Sequence, residues 1–470
     1  MTKQTARRSA ALALATMLSG ATLASCGTPN TGTTLTRFDD PVVLTGAKVG
    51  ALAGTAPDRL MAFATTADNG WTQIPVQVDE RVNTRMHNVY GMPASTRFYS
   101  SSIDIPVNVY ADPNTFVGAD PDAGLDADDE IAFMSRDAGG AAGSRARPAG
   151  TSGGGVEVKV GDPTNPSSAG YVYLFPGDGT LSPGAGKQYV KYDFRLNSGD
   201  YKTTYNRTDG PNPETSTIAG TTYTAGFSDR WTMDKLSLTK GNKPTTDIID
   251  RVKWDIPLLC IRHENTFNDE EGAFIINKSG PVRALRSWVG ANSGPNTQNT
   301  QAYYDTSMAF TVDLRVHAIP SVGAHVDFNR EAFGMVYRNP QVPNGVTIDG
   351  QPDTVPAGVP TWWTYTGAQG NIAMTGTYST DATAAPSTKY EDDLTPAATQ
   401  CTGDAETVGD SGGVFASSIE CTDPGSANCT KSLRYNLRTV AVPPQRDAAG
   451  TRQIAERNLQ PLTTAVTPRA

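Results

Sequence analysis

The chain reads as an all-β protein built as a β-sandwich. Three observations predict this. Short β-runs recur between Gly- and Pro-rich turns from Pro41 to Val442. Helical spacing is nearly absent beyond the first 25 residues. One stretch, Met308 to Ala318, alternates apolar and polar side chains along its length, the signature of a half-buried strand. Many short strands with turn residues between them point to a sandwich rather than to a parallel α/β sheet.

The N-terminus has its own logic. Lys3, Arg7 and Arg8 form a basic start, and Ala10 to Leu18 form an apolar run too short to span a bilayer. Small residues then lead into Leu23-Ala24-Ser25-Cys26, so residues 1–25 read as a secretory signal peptide. The ending L-A-S-C resembles a bacterial lipobox. That resemblance implies cleavage before Cys26, lipid on its sulfur, and an exported ectodomain held to a bacterial membrane through the lipid. Acyl chains contribute about 0.8 kcal/mol per buried methylene, so two chains anchor a domain stably. Gly27, where inner-membrane retention would place Asp, points towards the outer membrane. Residues 26–37 are small and polar, as a lipidated tether should be.

Losing Lys3, Arg7 and Arg8 takes the formal charge from −9 to −12. An acidic surface argues against nucleic acid and against docking on anionic lipid by charge. Cys260, Cys401, Cys421 and Cys429 remain, and four cysteines in an exported chain suggest two disulfides. Cys421 with Cys429 is the local pairing, which leaves Cys260 with Cys401.

Strand signals begin at Val42–Leu44, Leu60–Phe63, Ile74–Val78 and Ile103–Tyr110, giving an N-terminal β unit over 38–136. Residues 137–155 are rich in Gly, Ala, Ser and Arg and read as a linker. A main β-sandwich domain follows over 156–445. Its strands fall at Val156–Val160, Tyr171–Phe175, Tyr189–Phe194, Trp231–Leu238, Phe274–Ile276, Val282–Val289, Met308–Ala318, Trp362–Thr366 and Leu433–Val442. Residues 446–470 form a tail with one short helix near Ala449–Asn458.

The Met308–Ala318 strand assigns residues to faces. Met308, Phe310, Val312, Leu314 and Val316 share one; Thr311, Asp313, Arg315 and His317 share the other. Asp313, Arg315 and His317 therefore make a candidate site floor, with His317 and Tyr303 as proton carriers and Arg315 pairing a carboxylate or hydroxyl. Arg283 enters the same region, and Trp362 offers a flat surface for a sugar ring. A solvated sheet face and ordinary packing explain the same residues without a ligand.

Trp71-Thr-Gln-Ile-Pro-Val-Gln-Val-Asp79, with the later Gly280-Pro-Val-Arg-Ala284, is similar to patterns in the galactose-mutarotase-like β-supersandwich families, which include polysaccharide lyases. The resemblance implies a supersandwich and carbohydrate handling, with uronate-containing polysaccharide as one ligand class. The alternative is a non-catalytic structural or interaction lipoprotein of the envelope.

Asp120, Asp122, Asp126 and Asp128 ring the glycine turn at Gly124 and resemble the opening of a calcium loop, without the third acid that such loops place before the glycine. An acidic solvated turn is the other reading. Finally, Gly409-Asp410-Ser411-Gly412-Gly413 resembles the nucleophile motif of chymotrypsin-like proteases. Val414 replaces that family's proline, and none of His87, His263, His317 and His325 stands in the family's histidine context. A Gly/Ser turn is the expectation there.

Overall fold

The computed structural model describes residues 32–68, 70–98, 101–197, 202, 214–228, 231–240, 243–255, 272–290, 295–315, 319–356, 358–381, 383–396, 405–420, 432–442 and 446–469. Among them the protein is almost entirely antiparallel β-structure, organised as several packed sheets. No described helix is long and apolar enough to cross a membrane.

A nine-stranded sheet forms the centre. Its spatial order is Gly272–Ser279, Ala284–Gly290, Gln298–Tyr303, Ser307–Arg315, Ser432–Val442, Gly370–Thr380, Trp362–Gly367, Val336–Arg338 and Val346–Thr347. The expected alternation holds on Ser307–Arg315. Met308, Phe310, Val312 and Leu314 are all buried in the largest core, facing a second sheet. That second sheet has four strands, in the order Ile249–Asp255, Ile319–Phe328, Thr407–Glu420 and Thr383–Asp393. A five-stranded side sheet running from Lys191–Asp193 to Lys243–Asp247 adds Ile218, Tyr223, Phe227 and Leu236 to the same core.

The N-terminal region pairs differently from its sequence pattern. Ile74 to Val78 is not one strand: Pro75 lacks an amide hydrogen, and the run divides into Trp71–Ile74 and Gln77–Asp79, which belong to different sheets. Gln77–Asp79 joins Pro41–Thr45 and Glu130–Met134, whereas Trp71–Ile74 edges a five-stranded sheet. That sheet continues through Leu60–Thr65, Asn165–Pro176 and Gly155–Asp162 to Thr463–Arg469. Hydrogen-bonded pairing thus runs across the linker expected at 137–155, and the tail expected after 446 supplies a strand. The short helix spans Ala448–Asn458, capped by the Asp447 side chain, which accepts from the Gly450 amide at 2.8 Å.

Ion pairs with buried or half-buried partners fix the N-terminal sheets on the central one. Arg136 Nη1 lies 2.7 Å from Asp305 in the turn between Gln298–Tyr303 and Ser307–Arg315. Arg438 Nη2 lies 2.6 Å from Asp40. Lys278 and Arg283 both reach Asp79, at 2.6 and 2.8 Å.

A strained residue marks the side of the main sheet. Trp231 has φ +70°, a conformation that a bulky residue adopts only under constraint. Its carbonyl accepts from Arg286 at 3.0 and 3.2 Å, and its ring packs on Phe274 and Trp288. The strand expected from Trp231 accordingly begins later, at Lys235.

Candidate functional site

The residues singled out from sequence are mostly consumed by the fold. Arg283 is buried, donating to Asp79 at 2.8 Å and to Glu130 at 2.7 Å, so it faces no ligand. Tyr303 is fully buried; its hydroxyl donates to Gln301 at 2.7 Å, and burial pushes it well above its ordinary value, away from service as a base. Trp362 packs with Ala373, Val440 and Ala455 beneath the Ala448–Asn458 helix, with the Arg452 guanidinium 5.6 Å from its ring. It therefore presents no open face to a sugar. Asp313 stays on the outer sheet face as expected, gripped by Arg434 through two bonds of 2.6 and 3.0 Å. Arg315 ends the same strand, and its side chain lies outside what the structure describes. His317, Cys26, Cys260, Cys401, Cys421 and Cys429 lie outside the described residues.

The aspartate run serves local backbone. Asp120 accepts from the Asp122 amide at 3.0 Å, Asp122 from Gly124 at 3.3 Å, and Asp126 from Asp128 at 3.0 Å. Asp128 accepts from Asn83 and Asn108 at 3.1 and 2.6 Å. Among the described residues, no group of three or more His, Cys, Asp or Glu side chains is placed to hold a metal ion.

A different constellation does converge. On Ile319–Phe328, Val326 and Phe328 point into the core, so His325 and Asp327 project from the opposite face of the four-stranded sheet. Register places Lys253 across from His325 on one side. On the other side Asp410 and Lys389 come from the two remaining strands. Every strand of this sheet therefore contributes a charge to one buried network.

Asp410 lies between His325 Nδ1, in direct contact with its Oδ1, and Lys389 Nζ, 2.7 Å from its Oδ2. Asp327 accepts from Lys253 Nζ at 2.5 Å and from the Val408 amide at 2.9 Å. Asp410 and Asp327 are driven apart. Burial alone would raise Asp410, but His325 and Lys389 hold it well below the usual carboxylate range. Asp327 is pushed up to about 7 by burial and by the neighbouring Asp410 charge, against the pull of Lys253. Two carboxylates separated in this way can divide acid and base roles.

The network borders a surface cleft on one side. A surface cleft of ≈ 370 Å³ is lined by Asp250, Asp327, Phe328, Arg330, Glu331 and Glu406, among others. Its rim is ordered by Asn329, whose side chain accepts from the Glu331 amide at 2.9 Å and donates to two carbonyls. Arg330 grips Glu406 at 2.7 Å across the rim. Asp327 borders the floor of this cleft while its side chain is only 3% exposed, and burial is what pushes its acidity towards neutral, the range a general acid or base needs.

The Gly409–Gly413 motif takes part, though not as expected. It is no turn but a piece of the strand Thr407–Glu420. Gly409 has φ +54°, and a Cβ there would lie 2.5 Å from Ile348 Cδ1. Asp410 and Ser411 point to opposite faces. Asp410 meets His325, while the Ser411 hydroxyl contacts Tyr365 across the sandwich and donates to the Gly409 carbonyl at 3.0 Å. The serine and the His–Asp pair are separated by the sheet, so no protease triad forms. His325 was visible only as one histidine of four; its partner stands 85 residues away, and no local pattern encodes that pairing.

No protein-family model matches the chain, and no curated protein matches it. Among solved structures, the chain is similar to the Slr1438 protein from Synechocystis sp. PCC 6803, at TM-score 0.27 and 11% identity. That match covers 50% of this chain and 98% of the other. It is also similar to an alpha-mannosidase from Enterococcus faecalis V583, at TM-score 0.41 and 9% identity, over 94% of this chain and 46% of that one. The chain spans under half the length of the mannosidase, and the sandwich assignment rests on the sheets themselves.

Proposed function

We propose that this protein binds or processes carbohydrate in the cleft above Asp327, as an exported lipoprotein held to a bacterial membrane through Cys26. The observation that carries the reading is Asp327, pushed up to about 7 at the floor of a cleft and backed by the Asp410–His325 pair. A cleft edged by Asp250, Arg330, Glu331 and Glu406 offers acceptors and donors for sugar hydroxyls. Asp327 would move the proton, while Lys253 and the Asp410–His325 pair set its charge. Arg283, one of the arginines that a uronate carboxylate could meet, is buried in ion pairs, so the proposal is kept to carbohydrate as a class. A panel of polysaccharides and oligosaccharides, assayed for binding and for chain cleavage with wild type and Asp327→Asn, tests it. Cleavage or binding lost in the variant supports the reading, and a blank panel with working controls rejects it.

One set of observations favours a second reading, a non-catalytic structural lipoprotein. Arg283, Tyr303 and Trp362 are all spent on internal packing and pairing. The same panel separates the two readings. For the anchor, Cys26→Ser should release the protein from membranes in a fractionation assay, and unchanged partitioning would count against lipidation.

A further inference from the structure

The N-terminal segment is fastened to the fold sooner than its composition suggests. Thr33 and Thr34, expected within the tether, lie along the start of Asn165–Pro176. The Thr34 amide donates to the Ala169 carbonyl at 3.0 Å and its hydroxyl to the Ser167 carbonyl at 2.9 Å, while Ser168 Oγ donates to the Thr34 carbonyl at 3.1 Å. Leu35 is buried in the N-terminal core, and Arg37 donates to Asp40 and to the Gln460 carbonyl, both at 2.6 Å. Cys26 therefore stands six residues before Gly32, where the described residues begin. Six residues span at most about 20 Å when fully extended.

Strand register shows which part of the surface lies within that reach. Thr65 pairs with Trp71 and Phe63 with Tyr173, so the turn after Thr65 falls at the same end of the five-stranded sheet as the start of Asn165–Pro176. Gly161 pairs with both Ala169 and Thr463, which brings the turn after Asp162 and the entry to Thr463–Arg469 to that end as well. Gly32 packs against Gly140, whose carbonyl accepts from Thr65 Oγ1 at 2.9 Å. One end of the sheet thus gathers two hairpin turns and the exit of the chain towards Cys26. Thr66 to Gly70 and Pro163 to Ser167 contain a single charged residue, Asp68, and Pro163 to Ser167 are exposed throughout. In a chain of net charge −9, an uncharged end can approach an anionic bilayer without repulsion.

We propose that this end of the five-stranded sheet is the membrane-facing surface of the protein, its two turns resting at the lipid headgroups while the sheet stands away from the bilayer. The proposal rests on lipidation at Cys26 and adds the orientation that a short anchor imposes. Asn165–Pro176 has 12 residues. At about 3.3 Å per residue its far end lies roughly 35 Å away, beyond the reach of the tether. That far end carries Thr180, next to Gly179, which lies against Arg59.

Photocrosslinking on the full lipidated chain tests it, in vesicles of phosphatidylethanolamine and phosphatidylglycerol. The photoreactive p-benzoylphenylalanine is placed at Thr164, at Ser167 or, as the far-end control, at Thr180; all three positions are exposed. Thr164 and Ser167 should crosslink to lipid severalfold more than Thr180. Inserting about 20 Gly and Ser residues after Gly27 adds roughly 25 Å of root-mean-square reach. Crosslinking at Thr164 and Ser167 should then fall severalfold while co-sedimentation with vesicles is unchanged. Equal crosslinking at Thr180 and Ser167, or none at Thr164 and Ser167 in protein that co-sediments, overturns the orientation and leaves lipidation standing. If Cys26→Ser co-sediments as fully as wild type, the anchor is rejected and the orientation with it.

Discussion

Asp327 lies 2.5 Å from a lysine and still titrates near neutrality, because burial and the adjacent Asp410 charge outweigh Lys253. The sign of its effect on stability follows. A carboxyl raised from 3.8 to about 7 binds its proton more tightly when folded. Its stabilising contribution is full below about 4 and is lost as pH rises through about 7. Asp327→Asn should therefore flatten the pH dependence of the melting temperature across that window while abolishing proton transfer in the cleft; an unchanged profile would remove Asp327 from its role. Asp79 behaves oppositely. Burial favours its neutral form, but Lys278 and Arg283 overcome burial and hold it at about 2. Its contribution is present above about 4 and is lost as pH falls towards about 2. Arg283→Ala removes the fully buried cation that Asp79 and Glu130 share, leaving Asp79 to Lys278 and Glu130 to Arg81, so it should cost about 3 kcal/mol in denaturant unfolding. Arg283→Lys keeps a charge but not the forked geometry and should fall between. A loss under about 1 kcal/mol for the alanine variant would contradict the buried ion-pair account.

At the scale of elements, strands with a strict alternation were the legible ones. Ser307–Arg315 buries Met308, Phe310, Val312 and Leu314 as its pattern demands, because a sheet with one buried face forces period two. Elements without that pressure were not legible. Thr463–Arg469 pairs with Gly155–Asp162 at the edge of its sheet and stays partly exposed along its length, so its Thr-rich sequence carries no apolar alternation. Val466, with Leu462 just before the strand, packs against the N-terminal core. Truncation after Asn458 therefore removes ladder bonds more than core. We expect amide exchange to accelerate over 155–161 and the melting temperature to drop by several degrees, with the helix Ala448–Asn458 retained. Unchanged exchange over 155–161 would show that the edge strand adds nothing to its neighbour.

Across the whole molecule, what stayed hidden in the sequence was distance. The candidate site joins Lys253, His325, Asp327, Lys389 and Asp410 through cross-strand pairings that no local pattern encodes, and only Asp410 stands in a motif legible in the sequence, one that pointed to a different chemistry. Charged residues of the central sheet instead stand where it meets other sheets, and their density reflects the junction: Arg283 with Asp79 and Glu130, Arg286 with Glu214, Asp305 with Arg136. The same long-range wiring bears on how the chain divides. A Gly-rich stretch at 137–155 reads as a linker, yet Asn165–Pro176 beyond it pairs with Leu60–Thr65 before it, and Thr463–Arg469 closes the same sheet from the far end. A fragment of residues 156–470 would lose the Leu60–Thr65 partner of Asn165–Pro176 and leave Arg283 buried without either carboxylate. Each loss alone is large against the marginal stability of a folded domain. The fragment should therefore show no cooperative unfolding transition comparable to that of the full chain, measured by circular dichroism in denaturant. A native-like midpoint for 156–470 would instead mean that the central sandwich folds independently and that the shared sheet is an accessory to it.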